Sequence, residues 1–376
     1  MRIAHVSHSF DCGGSMAVMA TLCSELARRG HRVDAVCLDR RSRTDHERLW
    51  TNLLRAQGVG VFFLGREQGS AGVAAMARLW WLAQHQHYDV MHSHLPMPDA
   101  ISGVVRRCSM PPFVHVITVH NTYEPRSRTL AWLAAGAHVV YCSEAARRSN
   151  PLAGLSQTVI PNGILQPNYA TLAGARKETR QQLGLTLEGR VIIAVGRLCP
   201  QKAMDTALEA IALLKHSGRV PGLQLLVCGD GEERRQLEFQ AHELGLGNTV
   251  HFLGIRADIP QLLSACDAFI STSRHEGMPL SVLEALSAGL PCVLSAIPEH
   301  YELAARMPGC LFASNAPAAM SSALESALLQ PVTPAELREC RAELLRKHSV
   351  AQAAESYLAL YERCCQPRFQ CQSQYP

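Results

Sequence analysis

Apolar positions along the chain fall into two alternating forms, short continuous runs rich in Val and Ile and longer runs with helical spacing. The short runs predict strands at Arg2–Ser7, Arg32–Leu38, Val59–Leu64, Asp89–His92, Phe113–Val119, His138–Cys142 and Thr158–Ile160. Helical patterns fill the gaps, as at Met16–Arg29, where Gly30 supplies the usual left-handed stop. Strands that are apolar on both faces and separated by helices indicate a parallel sheet covered on both sides. The alternation then restarts at Arg190–Val195 and continues through Leu223–Cys228, Thr249–Leu253, Ala268–Ser271 and Cys292–Leu294. Between the two series, Gln166–Gly189 shows no strand and reads as a linker leading into a short helix. The order predicts an α/β chain of two doubly wound parallel-sheet domains, 1–165 and 166–350. Ligands of such sheets bind beyond the carboxyl ends of the strands, so polar residues there are the first candidates for chemistry.

Composition narrows the picture. At 47% hydrophobic and 18% charged, the 376 residues can fill two cores and are neither disordered nor a coiled coil. No signal peptide and no membrane-spanning run is legible, which points to a cytoplasmic chain, soluble or peripheral. Most of the fourteen cysteines stand singly inside apolar runs, only Cys364, Cys365 and Cys371 cluster in a polar C-terminal tail, and no CxxC pair is formed. They read as reduced thiols, with no metal site. The net charge of +4 is uneven: the stretch through Leu165 carries +6 and the remainder −2. A basic first half suits an anionic partner, such as a membrane surface. Arg40–Arg43, Arg126–Arg128 and the pair Trp80-Trp81 fit that reading, although solvated arginines and a core Trp pair explain them equally well. Nucleic acid is disfavoured, since aromatic residues make up only 6% and no binding motif is present.

Four constellations sit at strand ends. Gly13-Gly14 follows the first strand and opens a helix, which allows close backbone approach to an anion, though a tight turn needs the same residues. Gly196-Arg197 and Lys202 precede another helix, where two cations five residues apart suit a diphosphate; a solvated basic turn is the plainer alternative. In Glu276-Gly277-Met278-Pro279-Leu280, Pro279 suits the first turn of a helix in which Glu284 lies about 8 Å along the axis. Glu284 is the only charge between Leu280 and Ala288, and such a carboxylate needs either a ligand hydroxyl or a basic partner elsewhere in the chain. His120 ends the strand Phe113–Val119, which raises it above the other sixteen histidines.

Glu276-x7-Glu284 within EGMPLSVLEALSAGLPCV, together with Gly196-Arg197 and Lys202, resembles the nucleotide-sugar site of the retaining glycosyltransferases of family 4. Val159-Ile160-Pro161-Asn162-Gly163, Gly229-Asp230-Gly231 and Ile297-Pro298-Glu299-His300-Tyr301-Glu302 extend the resemblance over nearly the whole chain. It implies the GT-B fold, two Rossmann-like domains facing across a cleft. The first would bind the acceptor and the second the donor, with 351–376 forming a helix that crosses back to the first domain and a polar tail. It further implies that Arg197 and Lys202 hold the donor diphosphate, Glu284 the ribose and Glu276 the transferred sugar. His120 would sit beside that sugar, and Gly13, Gly14, Gly196, Gly231, Gly277, Met278, Pro279 and Leu280 would complete the donor site. Metal and cofactor are not expected. Partners implied are a UDP- or GDP-linked hexose or N-acetylhexosamine and a glycan or lipid-linked acceptor of lipopolysaccharide or exopolysaccharide synthesis. Ala203 departs from the family's usual Gly, which bears on loop shape. Of the rivals, a dehydrogenase lacks a complete GxGxxG fingerprint. An epimerase of the same architecture stays open, and a non-catalytic partner subunit is disfavoured by the intact Arg197, Lys202, Glu276 and Glu284.

Overall fold

A computed structural model describes residues 1–10, 13–67, 72–122, 136–150, 152, 154–330 and 334–372. Asp11-Cys12 and Arg126–Arg128 lie outside the described residues. The chain divides into two compact units, one made of Met1–Leu165 with His348–Pro376, the other of Gln166–Lys347.

The first unit holds strands β1 (Arg2–Ser7), β2 (Arg32–Asp39), β3 (Gly60–Arg66), β4 (Val90–His94), β5 (Val114–Val119), β6 (His138–Tyr141) and β7 (Ser156–Val159). They form one sheet in the order β3-β2-β1-β4-β5-β6-β7, every pair parallel. Alternate residues of each strand feed opposite cores. Ile3, Val90 and Val116 pack on one face with the helix Gly14–Arg28, and Ala354, Tyr357, Leu360 and Tyr361 of the helix Val350–Gln372 close that side. Ala4, Val6 and Met91 pack on the other, under the helices Val73–Gln86 and Pro96–Cys108. The chain leaves and re-enters this unit at adjacent points, where Ile164 bridges to Ser349.

The second unit repeats the plan with β8 (Val191–Val195), β9 (Gln224–Cys228), β10 (Val250–Gly254), β11 (Ala268–Ser271), β12 (Cys292–Ser295) and β13 (Cys310–Ala313), in the order β10-β9-β8-β11-β12-β13. The winding reverses between β8 and β11 here, and between β1 and β4 in the first unit. These reversals open the crevices in which doubly wound sheets take ligands.

Two stretches differ from the expectation. Gln166–Gly189 is no plain linker. It folds as the helices Tyr169–Gly174 and Arg176–Gln182, fixed to the second unit by charge. Arg176 and Arg180 each donate to Asp267 at 2.7 Å, and Asp267 also accepts the Val191 backbone N–H. Helices this short leave no readable period. The second is β13, a half-buried edge strand of four apolar residues that the reading of the chain passed over.

The twelve cysteines from Cys23 to Cys365 are free thiols. Burial pushes Cys23 and Cys266 well above the usual thiol range and Cys228 up to about 12, so these thiols behave as apolar filling. Among the described residues, no helix is long and apolar enough to cross a membrane. Trp80 and Trp81 are not a core pair: they are 42% and 54% exposed on the helix Val73–Gln86.

Candidate active site

In the second unit the two loops that flank the winding reversal are stitched together. Residues 196–203 follow β8 and residues 272–279 follow β11. Thr272 donates its hydroxyl to the carbonyls of Lys202 (3.0 Å) and Ala203 (2.8 Å), and the Arg274 amide donates to Gln201 O. From the other side, the turn after β9 clasps the first loop through Leu198 N–H to Asp230 O and Glu233 N–H to Leu198 O. Gly231 is required by that embrace, because a Cβ there would stand 2.2 Å from the Leu198 carbonyl oxygen. Ala203 takes a left-handed φ of +46°, which explains why glycine is favoured at this point and shows that alanine also adopts it.

This scaffold brings Lys202 onto Glu276. The ammonium lies 2.5 Å from Oε1, and the same oxygen accepts the Ser273 hydroxyl at 2.7 Å. Burial alone would raise the Glu276 pKa. The Lys202 charge and the two hydrogen bonds outweigh it and hold the carboxyl below its ordinary value, so it is ionised. Oε2 carries no hydrogen bond from a described residue. Gly196 lets the Lys202 stem lie close, since a Cβ there would be 3.2 Å from Cε. Arg197 is exposed on the same loop as Lys202 and makes no ion pair with a described residue. His300, fully buried, lies near enough for Glu276 to act on its charge, and it holds the Ser295 carbonyl through Nδ1 at 2.8 Å.

The helix after Glu276 is Leu280–Ala288. Pro279 is its N-cap rather than a residue of its first turn, because its ψ of 98° is extended. Its N-cap residue makes no side-chain capping hydrogen bond, and the positive end of the helix dipole suits an anion. Gly277, Met278 and Leu280 form the turn into it, and Gly289 ends it at φ +80°. Glu284, fifth in the helix, has no basic partner among the described residues. Burial raises its pKa to about 7.

Gly13, Gly14 and His120 sit at strand ends of the first unit. Gly13 is extended and caps Gly14–Arg28 with open space around it. His120, just beyond β5, lies with Nε2 2.9 Å from His94 Nδ1. Sequence reasoning missed what stands behind it. His5, His92 and His94 are buried with ring nitrogens within 4.8 Å of one another. Their signal was present, since His92 and His94 two apart on a strand must share one face. Ser273 and Thr272 were also missed, because nothing local marks a serine or threonine as a carboxylate's or a loop's support.

Residues 175–343 match the family described as glycosyl transferases group 1, and residues 12–164 match Glycosyltransferase Family 4. The chain belongs to these glycosyltransferases. Among its relatives, the Escherichia coli UDP-Gal:alpha-D-GlcNAc-diphosphoundecaprenol alpha-1,3-galactosyltransferase is 29% identical over 59% of this chain and 62% of that protein. The Streptomyces kanamyceticus 2-deoxystreptamine glucosyltransferase is 32% identical over 54% of each chain. The match therefore spans less than two thirds of these relatives' length. The glycosyltransferase also superposes on Anabaena HepE in complex with UDP-glucose, with a TM-score of 0.81 at 21% identity, covering 96% of this chain and 100% of that one. Its fold is GT-B, and the two parallel sheets are the two domains of that fold.

Proposed function

We infer that this glycosyltransferase moves a hexose or N-acetylhexosamine from a nucleotide diphosphate sugar to a glycan or lipid-linked acceptor in lipopolysaccharide or exopolysaccharide synthesis. The observation that carries it is the Lys202–Glu276 pair, with Glu284, which has no basic partner among the described residues, at one winding reversal. Lys202 has three N–H donors and spends one on Glu276, leaving two for phosphate oxygens. Arg197 adds a bidentate donor. As the glycosidic bond breaks, negative charge gathers on the diphosphate, and cations already fixed there stabilise it without reorganisation. Glu276 Oε2 accepts a hydroxyl of the transferred sugar, and Glu284 accepts the ribose hydroxyls. With cations supplied by the protein, the reaction runs without metal. It retains configuration, the acceptor hydroxyl attacking from the face the leaving group departs. The UDP-sugars in the names of the E. coli relative and of the HepE structure favour a UDP-linked donor.

A panel of UDP-, GDP- and ADP-sugars tests this by thermal unfolding. The matching donor, at a hundred times its Kd, stabilises the protein by about 2.7 kcal/mol. No shift with any of them, and a shift with NAD, would sink the proposal.

The first unit binds the acceptor, and its +6 half contacts the anionic inner face of the cytoplasmic membrane. Exposed Trp80 and Trp81 support that reading. Vesicles of anionic lipid pull the protein down at low salt and release it at high salt; equal binding to neutral vesicles counts against it.

A further inference from the structure

The carboxyl end of β12 props the loop that follows β11. Ser295, the last residue of β12, donates its hydroxyl to the Ser273 carbonyl at 2.5 Å. Ser295 is held in turn by His300 of the helix Pro298–Ala304, whose Nδ1 stands 2.8 Å from the Ser295 carbonyl oxygen and 3.2 Å from Oγ. A carbonyl only accepts, so Nδ1 carries the proton of this ring. Ser273 and Ser295 are each 1% exposed and His300 is 0%, so water does not compete for these bonds. A backbone point three residues before Glu276 is thus fixed from the neighbouring strand.

The Ser273 hydroxyl has one proton and two neighbours able to take it, Glu276 Oε1 at 2.7 Å and Ser271 Oγ at 3.2 Å. The ionised carboxylate is both the nearer and the stronger acceptor, so the proton goes to Oε1. Lys202 addresses the same oxygen. A carboxylate held by an ammonium alone can turn about its last torsion, which is broad and two-fold, and exchange its oxygens. The Lys202 stem is long and offers three equivalent donors, so it follows either oxygen. The Ser273 side chain is short and its backbone is fixed, so it does not follow.

We propose that Ser273 is a positioning residue: anchored on β12 through Ser295, it locks the Glu276 carboxylate with Oε1 inward and Oε2 turned to the transferred sugar. This rests on the reading of Glu276 as the carboxylate that takes a sugar hydroxyl. The lock also sets which charge state the sugar meets. A hydrogen bond to the ionised form favours that form, and Ser273 adds to the effect of Lys202 against burial.

The test joins binding of UDP and of UDP-glucose to a carbon-13 titration of glutamate-labelled protein without ligand. Ser273→Ala weakens UDP-glucose by about 10-fold, of the order of one hydrogen bond to a charged group. It leaves UDP within about twofold, because Glu276 meets only the sugar. In the titration the Glu276 carboxyl of Ser273→Ala gives up its proton at higher pH than in the wild type; Lys202 and His300 are the charged and titratable groups that act on it. Ser273→Thr keeps the hydroxyl and restores both readings. Ser295→Ala moves both in the same direction by less, and adds nothing in the Ser273→Ala background, since it acts through Ser273. Equal losses of UDP and UDP-glucose affinity in Ser273→Ala would make Ser273 a support of the loop alone and overturn the proposal. An unmoved Glu276 titration, or undiminished affinity for UDP-glucose, overturns it too. If Ser273→Thr does not fold, the alanine variants decide. Failure of the wild-type protein to bind either ligand counts against the proposed function, and the titration, read with no ligand present, then decides for or against the lock.

Discussion

Replacing Lys202 by Met lowers the transfer rate by about 100–1000-fold, the usual loss when one preorganised stabiliser of developing negative charge is removed. The effect is compound, because Lys202 serves Glu276 as well as the diphosphate. In the intact site the carboxyl stays ionised although only 5% exposed, since the ammonium at 2.5 Å offsets the burial. Without Lys202 the balance shifts toward burial, which raises the Glu276 pKa and favours the neutral carboxyl. The variant therefore loses a cation and the charge on its neighbour in one step. Stability follows the same logic. A carboxylate whose folded pKa is depressed contributes stability above its unfolded value, near 4.5, and loses it as pH falls through the folded value. Lys202→Met is accordingly destabilised by about 2 kcal/mol at pH 7–8. That is less than breaking a fully buried pair costs, because the Lys202 side chain keeps 19% exposure. Adding Glu276→Gln recovers that stability and no activity. A double variant that regained activity would show that Lys202 acts only as the partner of Glu276. Urea unfolding at pH 4.5 and pH 8, beside initial transfer rates, separates the cases.

Glu284→Gln has the opposite profile, more stable and less able to bind. The folded pKa of about 7 stands above the ordinary 4.5, so the folded state holds this proton more tightly than the unfolded chain does. The contribution is fully present below pH 4.5 and is lost as pH rises through 7. The difference corresponds to about 3 kcal/mol at pH 8 and above. Gln removes the charge, so the variant gains up to that amount at pH 8–9 and almost nothing at pH 4.5. Its affinity for the donor nucleotide falls by about 10–100-fold, as when a hydrogen bond to a charged group is lost. In the wild-type protein the same ionisation is drawn out by the ribose hydroxyls, and binding near pH 7 releases a proton to buffer. Calorimetry in two buffers of different ionisation enthalpy reads that release directly. A stability gain independent of pH would mean that Glu284 is ionised and already satisfied.

Legibility in the chain depended on whether a signal was local. Both sheets were readable because buried parallel strands are unbroken apolar runs, and Val191–Val195 or Gln224–Cys228 cannot be mistaken for surface. Tyr169–Gly174 and Arg176–Gln182 were not, because their anchor is Asp267, far along the chain. Glu284 could be singled out as the lone charge of an apolar helix, but only the surroundings show that no arginine among the described residues pairs with it. Lys202 and Glu276 were each legible as loop residues after a strand. Their contact was not, for it depends on β8 and β11 being neighbours, which no local pattern encodes. His120 stood out by position, while the ring file behind it needed the register of three strands.

The last helix gives the molecule an order of assembly. Its Ala354, Tyr357, Leu360 and Tyr361 are buried in the core that Ile3, Val90 and Val116 line. Gln166–Lys347, by contrast, is one uninterrupted stretch of chain. During synthesis the second unit holds all of its own core residues as soon as Lys347 has emerged. The first unit, though begun earlier, stays open along one face of its sheet until Tyr361 leaves the ribosome. The half of the chain made first is thus the half finished last, and it waits with its histidine face uncovered while the other completes.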